Sequence, residues 1–222
     1  MARRLPVYLV IDTSGSMSGE PIAAVKNGID MLVADLRNNP QALESAWLSV
    51  ITFDNDARQI VPLTDLQSFQ TPSIGASGMT ALGPALSLLC DCRKRECKKS
   101  WKDADGKSHK GDYRPLVFLM TDGHPNEGNL NAGIAAFKSE KWGMAVSCAA
   151  GNDADADVLK QVTGEECTVR LDNLSAGSLA AYFRWISTSI QTTSQKIQEE
   201  GQSSEQGTLS DMAPLPPQVA VV

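Results

Sequence analysis

The sequence predicts a doubly wound α/β domain, a mostly parallel sheet carrying helices on both faces. Residues 6–11 and 116–120 are apolar throughout, which is how strands read when both of their faces are covered. Ile22, Val25, Ile29, Leu32, Val33 and Leu36 recur at the spacing of one helix face. Strand-like and helix-like segments then alternate to about residue 190, and such alternation builds parallel sheets.

Residues 5–11 supply the first strand. The run stops at Asp12 with no small-residue cleavage pattern behind it, so a strand is expected there despite the basic start Met1-Ala2-Arg3-Arg4. A polar loop over 12–20 leads into the first helix. Pro21 sits where a first turn accepts it, and Asn38-Asn39-Pro40 ends the helix. Residues 46–53 read as a second strand. The turn Asp54-Asn55-Asp56 then returns the chain over 57–63 as an antiparallel hairpin at a sheet edge, where Pro62 is tolerated.

A helix over 82–96, with Leu82, Leu86 and Leu89 on one face, runs into a polar, basic insertion at 93–112 that is expected to loop out. After the strand at 116–120, helices are expected over 130–141 and 155–162, and strands over 144–149 and 168–171. Leu179, Phe183, Ile186 and Ile190 mark a closing helix. One domain over 1–191 follows. Residues 192–222, rich in Gln, Ser and Glu and then in proline, show no core-forming pattern and are expected to be disordered.

Composition removes several function classes. Of 222 residues, 42% are hydrophobic and 21% charged, which suits a single folded domain. The net charge of −6 argues against nucleic acid as the main partner, because phosphate binding calls for a basic surplus. No run approaches the apolar length of a membrane-spanning helix, about 18 residues or more. The five cysteines, at 90, 92, 97, 148 and 167, are odd in number and unevenly placed. Reduced thiols in a cytoplasmic protein are the expectation.

The chemistry concentrates after the first strand. Asp12-Thr13-Ser14-Gly15-Ser16 lies at the carboxyl edge, where open α/β sheets bind ligands. Alternate residues of an extended segment point the same way. Asp12, Ser14 and Ser16 therefore present three oxygen groups together, with Gly15 allowing a tight bend. Thr80 closes the loop Gly75-Ala76-Ser77-Gly78-Met79-Thr80, and Asp122 follows a strand in Thr121-Asp122-Gly123. Both occupy equivalent edge positions. Five hard oxygen donors favour Mg²⁺, Mn²⁺ or Ca²⁺ over zinc. Hydroxyls dominate the set, so a bound ion keeps much of its charge and calls for one more anionic ligand.

The pattern Asp12-x-Ser14-x-Ser16, Thr80 and Asp122 resembles the metal-ion-dependent adhesion site of von Willebrand factor A domains, and the likeness runs over residues 5–191. It implies a six-stranded sheet in the order 3-2-1-4-5-6 with strand 3 antiparallel. It also implies Mg²⁺ or Mn²⁺ as cofactor and a partner Asp or Glu as the completing ligand. Residues 4–8, 48–53 and 114–123 are similar to TerY-type proteins of bacterial tellurium-resistance clusters. That resemblance implies a non-catalytic adaptor in stress or phage resistance, associated with a protein kinase and a protein phosphatase. Two features depart from the family pattern: the length of the 93–112 insertion, and His124 beside Asp122-Gly123.

Other chemistries fit less well. In a Mg²⁺-dependent phosphohydrolase Asp12 would be the nucleophile, but the general acid expected two residues on is Ser14, whose hydroxyl is no proton donor at neutral pH. Gly75-Ala76-Ser77-Gly78-Met79 misses the nucleophile elbow at its last position, and no P-loop or dinucleotide fingerprint occurs. Cys90, Cys92, Cys97 and His109 invite a zinc reading, although C-x-C is not a usual finger spacing. The insertion holds eight Lys or Arg against four Asp or Glu. It reads as a solvated loop, or as a docking patch for an acidic or phosphorylated segment with Trp101 as its anchor. Pro214-Leu215-Pro216-Pro217 reads as a plain chain end rather than a polyproline ligand.

Overall fold

A computed structural model describes residues 3–126, 129–201 and 206–222. At the centre of its main sheet β1 (Leu5–Asp12) pairs in parallel with β2 (Ala46–Phe53) on one side and with β6 (Leu116–Thr121) on the other. Antiparallel β3 (Ala57–Asp65) lies outside β2. Parallel β7 (Met144–Ala150) and β8 (Thr168–Leu171) follow β6, and β9 (Val219–Val221) closes that edge antiparallel to β8. The order is β3-β2-β1-β6-β7-β8-β9. The insertion carries its own two-stranded ribbon, β4 (Trp101–Lys102) with β5 (Ser108–His109).

Every residue of β1 and β6 is buried because two cores flank the sheet. Val7, Leu9 and Ile11 face one core, which is roofed by α1 (Glu20–Arg37), α2 (Pro40–Ser45) and α6 (Ala176–Glu199). Tyr8 and Val10 face the other, under α3 (Leu82–Glu96), α4 (Leu130–Ser139) and α5 (Ala156–Thr163). The period of two in a strand decides which side chain enters which core. The expected doubly wound sheet with an antiparallel third strand is therefore present.

Three expectations need correction. The sheet has seven strands instead of six, and the added strand comes from the segment expected to be disordered. The helix α6 runs on to Glu199, past the expected boundary at 191. Residues 202–205 lie outside the described residues. Beyond them the chain folds back: Met212, Ala213 and Val219 are buried, and Trp185 donates its indole N–H to the carbonyl of Ala213 at 2.8 Å. Non-local partners on α6 thus hold a segment with little periodicity of its own. Lastly, Pro40 opens a short helix besides ending α1, because the Asn39 side chain accepts the Ala42 amide at 2.9 Å and caps it.

Candidate metal centre

Asp12 ends β1 fully buried, and Thr121 ends the neighbouring β6 beside it. The Asp12 carboxylate accepts the Ser14 amide at 2.8 Å through Oδ1 and the Thr121 hydroxyl through Oδ2. The chain then turns through a single 3₁₀ turn, Gly15–Met17, which brings the Ser14 and Ser16 hydroxyls within 3.0 Å of each other. Ser16 donates to Asp122 Oδ1 at 2.8 Å. Four of the five expected residues are thereby joined in one hydrogen-bonded group.

The fifth arrives on a separate loop that is tied to the first. Gly15 donates to the carbonyl of Gly78 at 3.0 Å, and Ser77 donates to the carbonyl of Thr13 at 2.8 Å. Thr80 is thus held against the strand edge, 7% exposed. Its hydroxyl lies 3.1 Å from where a β-carbon on Gly123 would sit, so it faces the Asp122 loop. Among the described residues that hydroxyl has no hydrogen-bond partner. Thr80 thus brings a third hydroxyl to the edge that carries Ser14, Ser16, Asp12 and Asp122, and such a set of hard oxygens fits a cation site.

The local backbone depends on Gly78. Its φ is +80°, and a β-carbon there would fall 2.7 Å from the Asn55 amide, which accepts the Met79 N–H at 3.0 Å. We expect Gly78→Ala to cost about 1–3 kcal/mol in denaturant unfolding. Adding Asn55→Ala should recover only the steric part, since the positive φ remains. A neutral result for Gly78→Ala alone would contradict the described loop.

Electrostatics lead to the same reading. Burial pushes the Asp12 carboxyl up from its ordinary range; hydrogen bonds from Thr121 and Ser14 oppose this, and the nearby Asp122 charge adds to it. Burial likewise pushes Asp122 up, against hydrogen bonds from Ser16 and Ser14, with Asp153 adding. Among the described residues neither of these desolvated carboxylates has an ion pair to a basic side chain, so a divalent ion between them would relieve their burial. Among the described residues no group of three or more His, Cys, Asp or Glu side chains could hold a metal. Any ion here must therefore rely on the hydroxyls. Ser14, Ser16 and Thr80 would hold it together with Asp12 and Asp122, and hard cations accept such a set.

The model of the von Willebrand factor type A domain matches residues 7–179 of this sequence. The chain belongs to that family. No curated protein sequence is similar enough to count as a relative. Among solved structures, a von Willebrand factor type A protein from Catenulispora acidiphila superposes with a TM-score of 0.65 at 18% identity, over 86% of this chain and 43% of that one. Proximal thread matrix protein 1 from the mussel byssus, solved with its MIDAS motif occupied by zinc, gives 0.57 at 16%, over 84% and 48%. The ArnB paralog VWA2 from Sulfolobus acidocaldarius gives 0.57 at 15%, over 86% and 45%. This A domain thus shares their fold while spanning less than half the length of these three chains.

Within this A domain the sequence had not singled out Thr121, Thr13 and Asn55 for roles. Thr121 fixes the Asp12 carboxylate, Thr13 holds the Phe53 carbonyl through its amide and hydroxyl at 2.8 and 3.1 Å, and Asn55 clamps the Thr80 loop. His124 turns toward Asp155, with Nδ1 at 3.3 Å from Oδ2. The suggested zinc set does not converge. Cys90 and Cys92 are buried on α3, Cys97 lies 3.6 Å from the Tyr8 hydroxyl, and His109 pairs with Asp103 at 2.8 Å.

Proposed function

We propose that this A domain is a metal-dependent interaction module, holding one divalent cation on Asp12, Ser14, Ser16, Thr80 and Asp122 and gripping a protein partner through it. One observation carries the reading: two buried carboxylates and three hydroxyls gather on one rim, with Ser16 exposed to solvent. A groove of about 370 Å³ leads outward from Ser16 and Asp122 past Gly123 and Asn152. An ion resting mainly on neutral hydroxyls remains electrophilic, and an Asp or Glu side chain of the partner completes its ligands. The hard oxygen set suits Mg²⁺ or Mn²⁺.

The likeness of residues 4–8, 48–53 and 114–123 to TerY-type proteins supports a narrower assignment. The module serves a bacterial tellurite or stress-resistance system in the cytoplasm, with a protein kinase and a phosphatase as partners. Among the described residues no helix is long and apolar enough to cross a membrane. The domain performs no catalysis. The neighbour two residues on from Asp12 is a serine, unlike the acid a phosphohydrolase requires.

Capture experiments test this. The candidate kinase should be retained on immobilised wild-type protein in Mg²⁺ and released by chelator, and Asp12→Asn should not retain it. Retention that ignores chelator and variant alike would refute the metal-bridged reading. Incubation with a generic phosphate ester and Mg²⁺ should give no turnover. Turnover that disappears in Asp12→Asn would establish the hydrolase instead.

A further inference from the structure

The charge of this chain is unevenly distributed. Residues 93–112 carry eight basic and four acidic side chains, a balance of +4 in a protein of −6, which leaves −10 for the remainder. The fold gathers part of this basic surplus at the amino end of the sheet. Arg3 and Arg4 precede β1, and the segment that follows the β4–β5 ribbon is tied to them: the Arg3 guanidinium donates to the Gly111 carbonyl at 2.8 Å, and Arg4 ion-pairs with Asp112. Since β1 is eight residues long, this end lies about 25 Å from the metal rim at roughly 3.3 Å per residue.

Not all of these cations are spoken for. Arg93 and Lys94 pair with Glu140, and Arg95 with Glu96. By contrast, Lys98, Lys99 and Lys110 are exposed, and among the described residues none of their ammonium groups has a carboxylate partner; the Arg3 guanidinium donates to two carbonyls and lies over the Tyr113 ring, with no carboxylate. These four line a groove of about 680 Å³. Its apolar surface comes from Trp101, Trp47 and Leu43, and its remaining acids besides the paired Asp112 are Glu44 and Asp65, on the side of α2 and β3. Trp101 is 58% exposed and stacks on His109 with ring centroids 4.3 Å apart. An exposed tryptophan stacked on a histidine and flanked by lysines without carboxylate partners is not accounted for by the core or by the metal site. Aromatic anchors with cationic neighbours are a common form of peptide recognition surface.

We propose that this groove is a docking site for an acidic peptide segment of a protein partner, with an apolar side chain of the segment resting on Trp101 and its Asp and Glu carboxylates on Lys98, Lys99, Lys110 and Arg3. Charge complementarity selects the occupant. Four cations match a short acidic stretch, whereas a long polyanion such as nucleic acid would run onto a surface of net −10. The site needs no metal and stands apart from the rim, so one A domain can hold two partners at opposite ends of its sheet.

Fluorescence anisotropy in chelator, which removes any contribution from the rim, tests the proposal. The probes are a labelled decapeptide of Asp and Glu around a central Leu, the same peptide with phosphoserine, its Asn and Gln counterpart, and a labelled oligothymidylate. The Asp and Glu peptide should bind saturably and at least about tenfold more tightly than the neutral one, with affinity falling as salt rises. Saturable binding of the phosphoserine peptide alone would overturn the assignment to an acidic segment. Trp101→Ala should weaken binding about tenfold, and Lys98→Gln with Lys99→Gln at least as much. These side chains are exposed, so unchanged melting curves should accompany both losses. Equal binding of the neutral peptide, tighter binding of the oligothymidylate, no saturable binding, or wild-type affinity in the variants would each overturn the proposal. None of those results bears on the metal rim.

Discussion

Mg²⁺ at a hundredfold its Kd is expected to stabilise the wild-type protein by about 2.7 kcal/mol, since a ligand bound only by the folded state adds that much. For a chain of this size the gain corresponds to a rise in Tm of roughly 5–11 °C. Asp12→Asn should abolish it. Asparagine suits the test because it keeps an oxygen for the Ser14 amide and a polar group toward the Thr121 hydroxyl, so the fold has no reason to fail. Burial already disfavours the Asp12 charge. Its folded-state pKa is raised, so in chelator the ionised carboxylate subtracts stability as pH rises through and above the ordinary carboxylate range. At neutral pH in chelator, Asp12→Asn should therefore melt no lower than wild type. Calorimetric melting with and without Mg²⁺ reads both results. An equal Mg²⁺ shift in the two proteins would remove Asp12 from the site.

Trp185→Ala is expected to cost about 3–5 kcal/mol, the range for truncating a buried tryptophan. Trp185 is 3% exposed, stacks on Tyr182 at 5.8 Å and makes a T-shaped contact with Phe118 of β6 at 6.0 Å. Its indole N–H also holds the Ala213 carbonyl. One side chain thus joins α6, the sheet and the returning C-terminal segment. Urea unfolding measures the loss, and limited proteolysis should show faster cleavage within residues 206–222. Trp185→Phe keeps most of the bulk and gives up the hydrogen bond, so a smaller loss of about 1–2 kcal/mol is expected. A loss below about 1 kcal/mol for Trp185→Ala would mean that the segment does not pack as described.

The contrast between these two sites shows what local sequence can carry. Asp12, Ser14 and Ser16 were legible because alternation in an extended segment fixes their common direction, and the apolar run before them fixes the strand. Thr80 and Asp122 were legible as edge positions only; their convergence required the loop contacts from Gly15 and Ser77. Thr121 gave a weaker signal. It closes a strand otherwise apolar, and its role depends on lying beside Asp12 on the neighbouring strand, which no single segment reveals. The same holds for residues 206–222. Met212, Ala213 and Val219 are too few and too irregularly spaced to read as an element, and the Ala213 partners Trp185 and Ser189 and the Val219 partner Leu171 lie more than 20 residues earlier. In the insertion, two-residue strands are too short for alternation to register, so the ribbon that pairs Trp101 with His109 read as a loop.

Loops from three strand ends are expected to bring their oxygens to one ion. Anomalous diffraction from crystals grown in Mn²⁺ tests this most directly. A single strong peak is expected among Ser14, Ser16 and Thr80, with Asp12 and Asp122 in direct or water-bridged contact, and it should vanish in Asp12→Asn crystals. Well-ordered loops with no peak between those hydroxyls, or a peak that persists in the variant, would contradict the assignment.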